Sequence, residues 1–458
     1  MASAGRALES TLLFAAVAAG AYIGWQRLRP ENPQPEPSVA PPPQTLPQVV
    51  ATPAPSAPPT PTPVTMAPIR EEGMVPQADV QSAQSLASRV NQLEMLFTAD
   101  QRLAEDLHER YPAEPQLRDL LEATLVRLAT QDQVLRQYPE AASRLRRAIQ
   151  VRPDGLAARQ ALVRVLLEAS DWPAAESAAR EALAVEPRNP ELLEAYALAL
   201  FRQDRNREAA EAFRAVLEVT PSPTAREFLT RLQKNARDEG GMTEQRLARF
   251  HVRYDGAEHD DVGREILRAL ERHYATLASA MNHELREPVP VILFSDEAYY
   301  DASGAPRWSG GVFDHTDGRI RVPIQGLTRD LTTDIDDTLL HELTHAFVFD
   351  IAGSIAPREL NEGLAQWMEG KRLDSLLDSA ARRALADGRI GGVSGYYLTA
   401  LGFVEELISL RGPGGVNDLL RAMGETDDVD AAFRQIYGQD FRGAQQAFYQ
   451  GLRRKYGS

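Results

Sequence analysis

Three prolines stand 34 residues apart, at Pro153, Pro187 and Pro221, and their surroundings keep the same spacing. Val151, Val185 and Val219 share the register, as do Ile149, Leu183 and Leu217, and Ala141, Ala175 and Ala209. Pro139 and Pro173 match at a second position in two of the units. A fixed period of this size constrains the fold more than any other feature of the chain. It calls for stacked supersecondary units, none able to bury its apolar side alone. Small residues recur where two helices must approach closely, and a proline ends each unit.

This pattern resembles the tetratricopeptide repeat over roughly residues 115–222, as three units. In the first unit Arg127 and Arg144 stand where later units have Ala161 or Ala195, and Ala178 or Ala212, so this unit is expected to pack imperfectly. Residues 79–112 add amphipathic helix, with Leu86, Val90, Leu93 and Phe97 at helical spacing. Thr224 to Ala236 reads as a capping helix with a polar outer side. The solenoid with its cap is expected over residues 76–238. The resemblance implies a concave surface recruiting a protein partner or substrate, or else a spacer.

A second motif carries chemistry. Residues 341–345 read His-Glu-Leu-Thr-His. Histidines at i and i+4 project from one helix face, so His341 and His345 can share a metal ion. Glu342 lies beside that metal rather than on it, where it can take a proton from water. The context agrees with a helix. Thr333-Asp334-Ile335-Asp336 resembles a helix start, and Leu339, Leu340, Leu343, Phe347 and Val348 supply its apolar part. Gly353 and Pro357 stop this helix and begin another, which carries Asn361-Glu362-Gly363-Leu364-Ala365. A catalytic zinc takes three protein ligands and keeps one position open. Glu362, 17 residues after His345, is placed to be the third. The chain has no cysteine, which removes thiolate zinc sites and cysteine nucleophiles.

The pair H-E-L-T-H-A and N-E-G-L-A is similar to the active-site helices of peptidase MA-like gluzincins, with the likeness running from about Arg246 to Tyr456. It implies an α+β zincin-like domain over residues 246–458, one Zn2+ per chain, ligands His341, His345 and Glu362, and Glu342 as general base. Metzincins need a third histidine where this chain has Ile351. Thermolysin-like enzymes carry an acidic residue where this chain has Gln366, leaving Gln366 to support a ligand histidine through a weaker hydrogen bond. Candidates for an oxyanion donor are Tyr396, Tyr397 and His315. Gly318 to Ile324 alternates polar and apolar residues as a half-buried strand. In the resembling fold such a strand meets the substrate backbone, and Pro323 suits an edge, which makes Arg319 and Arg321 substrate contacts or solvated side chains. Strands are also expected at Phe250 to Tyr254 and Pro288 to Phe294, and helices at Asp261 to Met281, Gly395 to Leu410 and Phe441 to Tyr456. His108, His251, His259, His273 and His283 lack ligand spacing.

The N-terminus adds a location. Thr11 to Trp25 is an apolar run without charge, read within residues 1–29 as an uncleaved signal anchor, a cleaved signal peptide or a plain soluble helix. Pro30 to Pro68 holds 15 prolines in 39 residues. Residues 30–75 therefore read as an extended spacer, of which Pro30 to Pro68 would reach about 120 Å at roughly 3.1 Å per residue. The expectation is a single-pass inner-membrane protein with extracytoplasmic (periplasmic) folded domains, or a secreted one. A net charge of −15 argues against a nucleic-acid partner. The whole is expected to be a metallopeptidase acting on peptide or protein substrates, against an alternative of a catalytically inactive metal-binding scaffold of the cell envelope.

Overall fold

The computed structural model describes residues 75–246, 249–254, 260–294, 296–303, 310–324 and 333–457. The apolar run, nearly all of the proline-rich stretch and His259 lie outside these residues. No helix among the described residues is long and apolar enough to cross a membrane. The protein is mostly helical, with one small mixed sheet in its C-terminal half, and divides into two compact units at Asp238/Glu239.

Among its described residues the first unit has helices and no strand: α1 (Gln77–Asn91), α2 (Thr98–Arg110), α3 (Pro115–Val134), α4 (Tyr138–Val151), α5 (Leu156–Glu168), α6 (Trp172–Val185), α7 (Pro190–Arg202), α8 (Asn206–Val219) and α9 (Pro223–Asp238). From α3 on, each helix packs on the next. The 34-residue period is visible in the element bounds, since α4, α6 and α8 start and stop at equivalent positions. Ala141, Ala175 and Ala209 are each 0% exposed, so the repeated small residue lies fully inside the helix packing of every unit. The repeated prolines fall just past those helices, where a backbone without N–H cannot continue one. Asp171 and Asn189 cap α6 and α7 by accepting from the backbone N–H groups of Ala174 and Leu192. Phe228 of α9 stacks on Phe213 and meets Phe201 edge-on, closing the core at that end.

The first unit of the repeat uses its two arginines to reach outward. Arg144 is ion-paired with Asp132 and donates to Gln101 of α2, while Arg127 donates to the Leu93 carbonyl. The helical spacing expected through Phe97 does not hold. The chain leaves the helix after Asn91, Leu93 adopts a positive φ of 56°, and Leu93 and Phe97 are exposed while Leu86 and Val90 stay buried. The Gln131 side-chain amide holds this turn, bonding both the N–H and the carbonyl of Leu96 at 3.0 Å.

The second unit contains β1 (Thr243–Arg246), β2 (Phe250–Tyr254), α10 (Asp260–Met281), β3 (Val289–Phe294), α11 (Asp296–Ser303), β4 (Val312–Asp314), β5 (Arg319–Pro323), α12 (Thr333–Ala352), a 3-10 turn (Gly353–Ile355), α13 (Arg358–Met368), α14 (Leu373–Leu376), α15 (Ser379–Ala386), α16 (Gly392–Thr426), α17 (Val429–Tyr437) and α18 (Phe441–Tyr456). Gly412 breaks α16 with a φ of 71° just before Pro413. The sheet runs β1-β2-β3-β5-β4, parallel across β2, β3 and β5 and antiparallel at both ends. One face buries Phe250, Val252, Val291, Leu293, Ile320 and Val322 in the main core, which α10 and α12 share.

The other face overturns one expectation. Strand 319–323 is not an edge, because β4 lies outside it. Nor do its arginines face solvent or substrate, since Arg319 is 1% and Arg321 5% exposed. Arg321 pairs with Asp317 at 2.5 Å, and Arg319 pairs with Glu239, which also binds Arg253 at 3.1 Å. Alternation correctly gave a strand with two unlike faces. It could not show that the polar face would be covered and its charges neutralised in place, as buried charges require.

Candidate metal centre

Helix α12 is buried nearly all round, with every residue from Glu342 to Val348 inside. An ordinary buried helix there would be apolar. This one carries Glu342 and His345, 6% and 7% exposed, and burying such groups is costly unless each is paired.

The partners come from α13, which packs against α12. The Nε2 atoms of His341 and His345 stand 3.5 and 3.7 Å from one oxygen, Oε2 of Glu362. That oxygen is buried and accepts no hydrogen bond. The two imidazole planes are nearly perpendicular at 87°, with centroids 4.7 Å apart. The three ligand atoms lie within 4.8 Å of one another and could hold a metal ion. Tetrahedral donors about 2.1 Å from a zinc ion stand about 3.4 Å apart, so the two nitrogen–oxygen separations fit that ion without rearrangement. The orphaned buried oxygen also fits, since a cation is the partner it lacks.

The outward nitrogens are held as well. Nδ1 of His345 meets Oδ1 of Asn361 at 2.8 Å, and Nδ1 of His341 meets Oε1 of Glu369, whose other oxygen is paired with Lys371. Such outer contacts fix the ring orientation and leave Nε2 as the donor atom. Gln366 does not serve here. Its amide donates instead to the carbonyls of Glu362 (3.2 Å) and Tyr397 (2.9 Å), tying α13 to α16. The expected supporting role belongs to Asn361 and Glu369. Glu369 lies two turns beyond Glu362, on the same helix face, a spacing that could have revealed it. Gly363 explains the glycine next to the ligand: a Cβ there would sit 2.1 Å from the Ala400 carbonyl oxygen, so only glycine lets α16 close on α13.

The electrostatics follow from this packing. Burial opposes charge on His341, but the carboxylates of Glu362 and Glu369 outweigh it and raise the imidazole to about 10. Burial and the charge on His341 push His345 down. Two imidazoles sharing one carboxylate do not both take a proton. Burial opposes Glu362 too, yet the two histidines and Arg358 draw it down to about 2. The donors therefore attract positive charge, which a divalent cation supplies more fully than a proton. Burial lifts the Glu342 carboxyl to about 7, against the pull of His341. Glu342 accepts from the backbone N–H of Phe313 in edge strand β4. A Cβ at Gly311 would come within 3.0 Å of the Glu342 Cγ, so this glycine also makes room for the carboxylate.

Among the remaining candidates, the Tyr396 hydroxyl is buried without a partner, and its ring lies 5.2 Å under the Arg358 guanidinium. Burial and the Glu362 charge raise Tyr397 to about 12. His315 is half-buried rather than free in solvent. It packs on Phe313 and Phe349 at 5.2 and 5.5 Å, its Nδ1 has no partner, and burial lowers its pKa. His273 and His283 pair with Asp336 and Asp350 at 3.0 and 2.6 Å, away from the centre. No protein-family model matches the sequence, and a search of curated proteins finds no match.

Proposed function

We propose that this chain is a membrane-anchored zinc metallopeptidase of the gluzincin type, whose helical unit is a tetratricopeptide-repeat solenoid recruiting substrate or partner proteins. The observation that carries the reading is the convergence of two imidazole Nε2 atoms on one unpartnered oxygen of Glu362, with both outward nitrogens already held. His341, His345 and Glu362 would hold one zinc ion per chain. What zinc supplies when bound is Lewis acidity, polarising a carbonyl and lowering the pKa of water to about 7.

The chain's own groups do the rest. Glu342, buried and held at the Phe313 N–H beside the two histidines, is placed to accept a proton and return it to a leaving amine. Edge strand β4, next to Glu342, offers backbone for an extended peptide to pair with, a role first expected of the strand at 319–323. The Tyr396 hydroxyl has a hydrogen to give to the negative charge that develops on the carbonyl oxygen. The apolar run at Thr11 to Trp25 and the proline spacer support a site held outward from the inner membrane on its periplasmic side.

The test is zinc content and cleavage of a mixed peptide library by the purified full chain and its Glu342→Gln variant. Expected are one zinc per chain in both and cleavage in the parent alone. One zinc with no cleavage by either would replace the peptidase with an inert metal-binding scaffold.

A further inference from the structure

Among the described residues, Arg358 stands at the rim of the centre with its side chain exposed. Arg358 begins α13, one turn before Glu362, and its Nε is 3.8 Å from Oε1 of Glu362, the oxygen turned away from the histidines. Its guanidinium lies over the Tyr396 ring and interacts with the Tyr397 hydroxyl, yet the side chain is 58% exposed. Two other carboxylates stand nearby. Lys371 neutralises Glu369, and the carboxylate of Glu359, next in sequence to Arg358, is bonded to Gln445. With a divalent cation held by His341, His345 and Glu362, the charge of Glu362 is shared with that cation, and the exposed Arg358 guanidinium stands beside it at the mouth. An exposed, planar guanidinium fixed over an aromatic ring recognises carboxylates well.

Resting on the peptidase reading, we infer that Arg358 receives a carboxylate of the substrate, so that the site selects peptides bearing negative charge close to the cleaved bond. A C-terminal carboxylate and an Asp or Glu side chain share this chemistry. In a peptide set of one neutral sequence, the first series replaces each residue in turn by Glu or Gln. The second ends in a free acid or an amide. With the zinc-loaded full chain, one carboxylate position is expected to raise kcat/KM about 10- to 100-fold over its neutral counterpart. The series in which the gain falls identifies the source. Arg358→Gln should abolish the preference with zinc content unchanged, and Arg358→Lys should restore part of it. Equal cleavage of charged and neutral peptides by the parent, or a preference that survives Arg358→Gln, overturns the inference. Binding of the same peptides to zinc-loaded Glu342→Gln, read by fluorescence anisotropy, separates the two readings. Carboxylate-dependent binding lost in the Arg358→Gln/Glu342→Gln double variant, without cleavage by the parent, would sink the peptidase and keep the receptor; binding indifferent to charge would sink the receptor.

Discussion

In residues 75–238 each repeat helix packs mainly on its neighbours in sequence, whereas in residues 239–457 helix α12 is gripped by α10, α13, α16 and strand β4, drawn from far along the chain. The first arrangement tolerates local change because each contact involves only adjacent units. Both halves bury charge, but differently: in the first, Glu122, Asp132 and Glu176 each pair with an arginine within the repeats, whereas in the second Glu342 and His345 lie on one side of the sheet and Arg319, Arg321, Arg253 and Asp317, with Glu239, on the other. A small residue recurs at each repeat contact, and the C-terminal half gathers its buried charges about one sheet.

Four experiments break or sharpen this contrast. Glu342→Gln should cost about 10²- to 10⁴-fold in peptide turnover while sparing zinc binding and both halves of the fold, because it removes only the proton acceptor. Retained turnover would remove Glu342 from the chemistry. Arg319→Met leaves Glu239 buried with part of its pairing gone and should destabilise residues 239–457 by about 3–5 kcal/mol. Amide hydrogen exchange reads the two halves separately, and equal loss of protection in both would abolish the distinction drawn here. Ala209→Leu overfills a fully buried helix contact and should cost about 1–3 kcal/mol, felt in α7, α8 and α9 and not around the metal centre. Asn361→Ala and Glu369→Gln should each weaken zinc binding by about 10- to 100-fold in equilibrium dialysis, with Gln366→Ala markedly milder. A Gln366 variant as damaging as the other two would return that residue to the role first expected of it.

The two halves were also unequally legible. The 34-residue period located α4 to α8 because packing residues recur at each helix contact, and the pattern repeats the constraint. It misjudged Leu93 and Phe97, since helical spacing cannot see a turn clamped by a distant glutamine. In the second half the donor residues were readable because ligand spacing on a helix is local, as were β5, α10 and α18. The failures were long-range. Whether Arg319 and Arg321 face water depends on Glu239, 80 residues from Arg319, and on the strand that lies outside β5. Which side chain steadies His341 depends on a carboxylate 28 residues away. Periodicity carries information along an element and very little about what closes over it.

Helix α13 has one more consequence. Arg358, Asn361 and Glu362 all stand on it, and Glu369 at its C-terminal cap. Sliding this single rod by one turn would strip the pocket of its third donor and of both ring clamps together. Partial, wrongly shaped versions of the pocket are thereby disfavoured. It also follows that the stretch 333–371 could be moved into a foreign helical scaffold only with stand-ins for α10, α16 and β4, which bury its first helix.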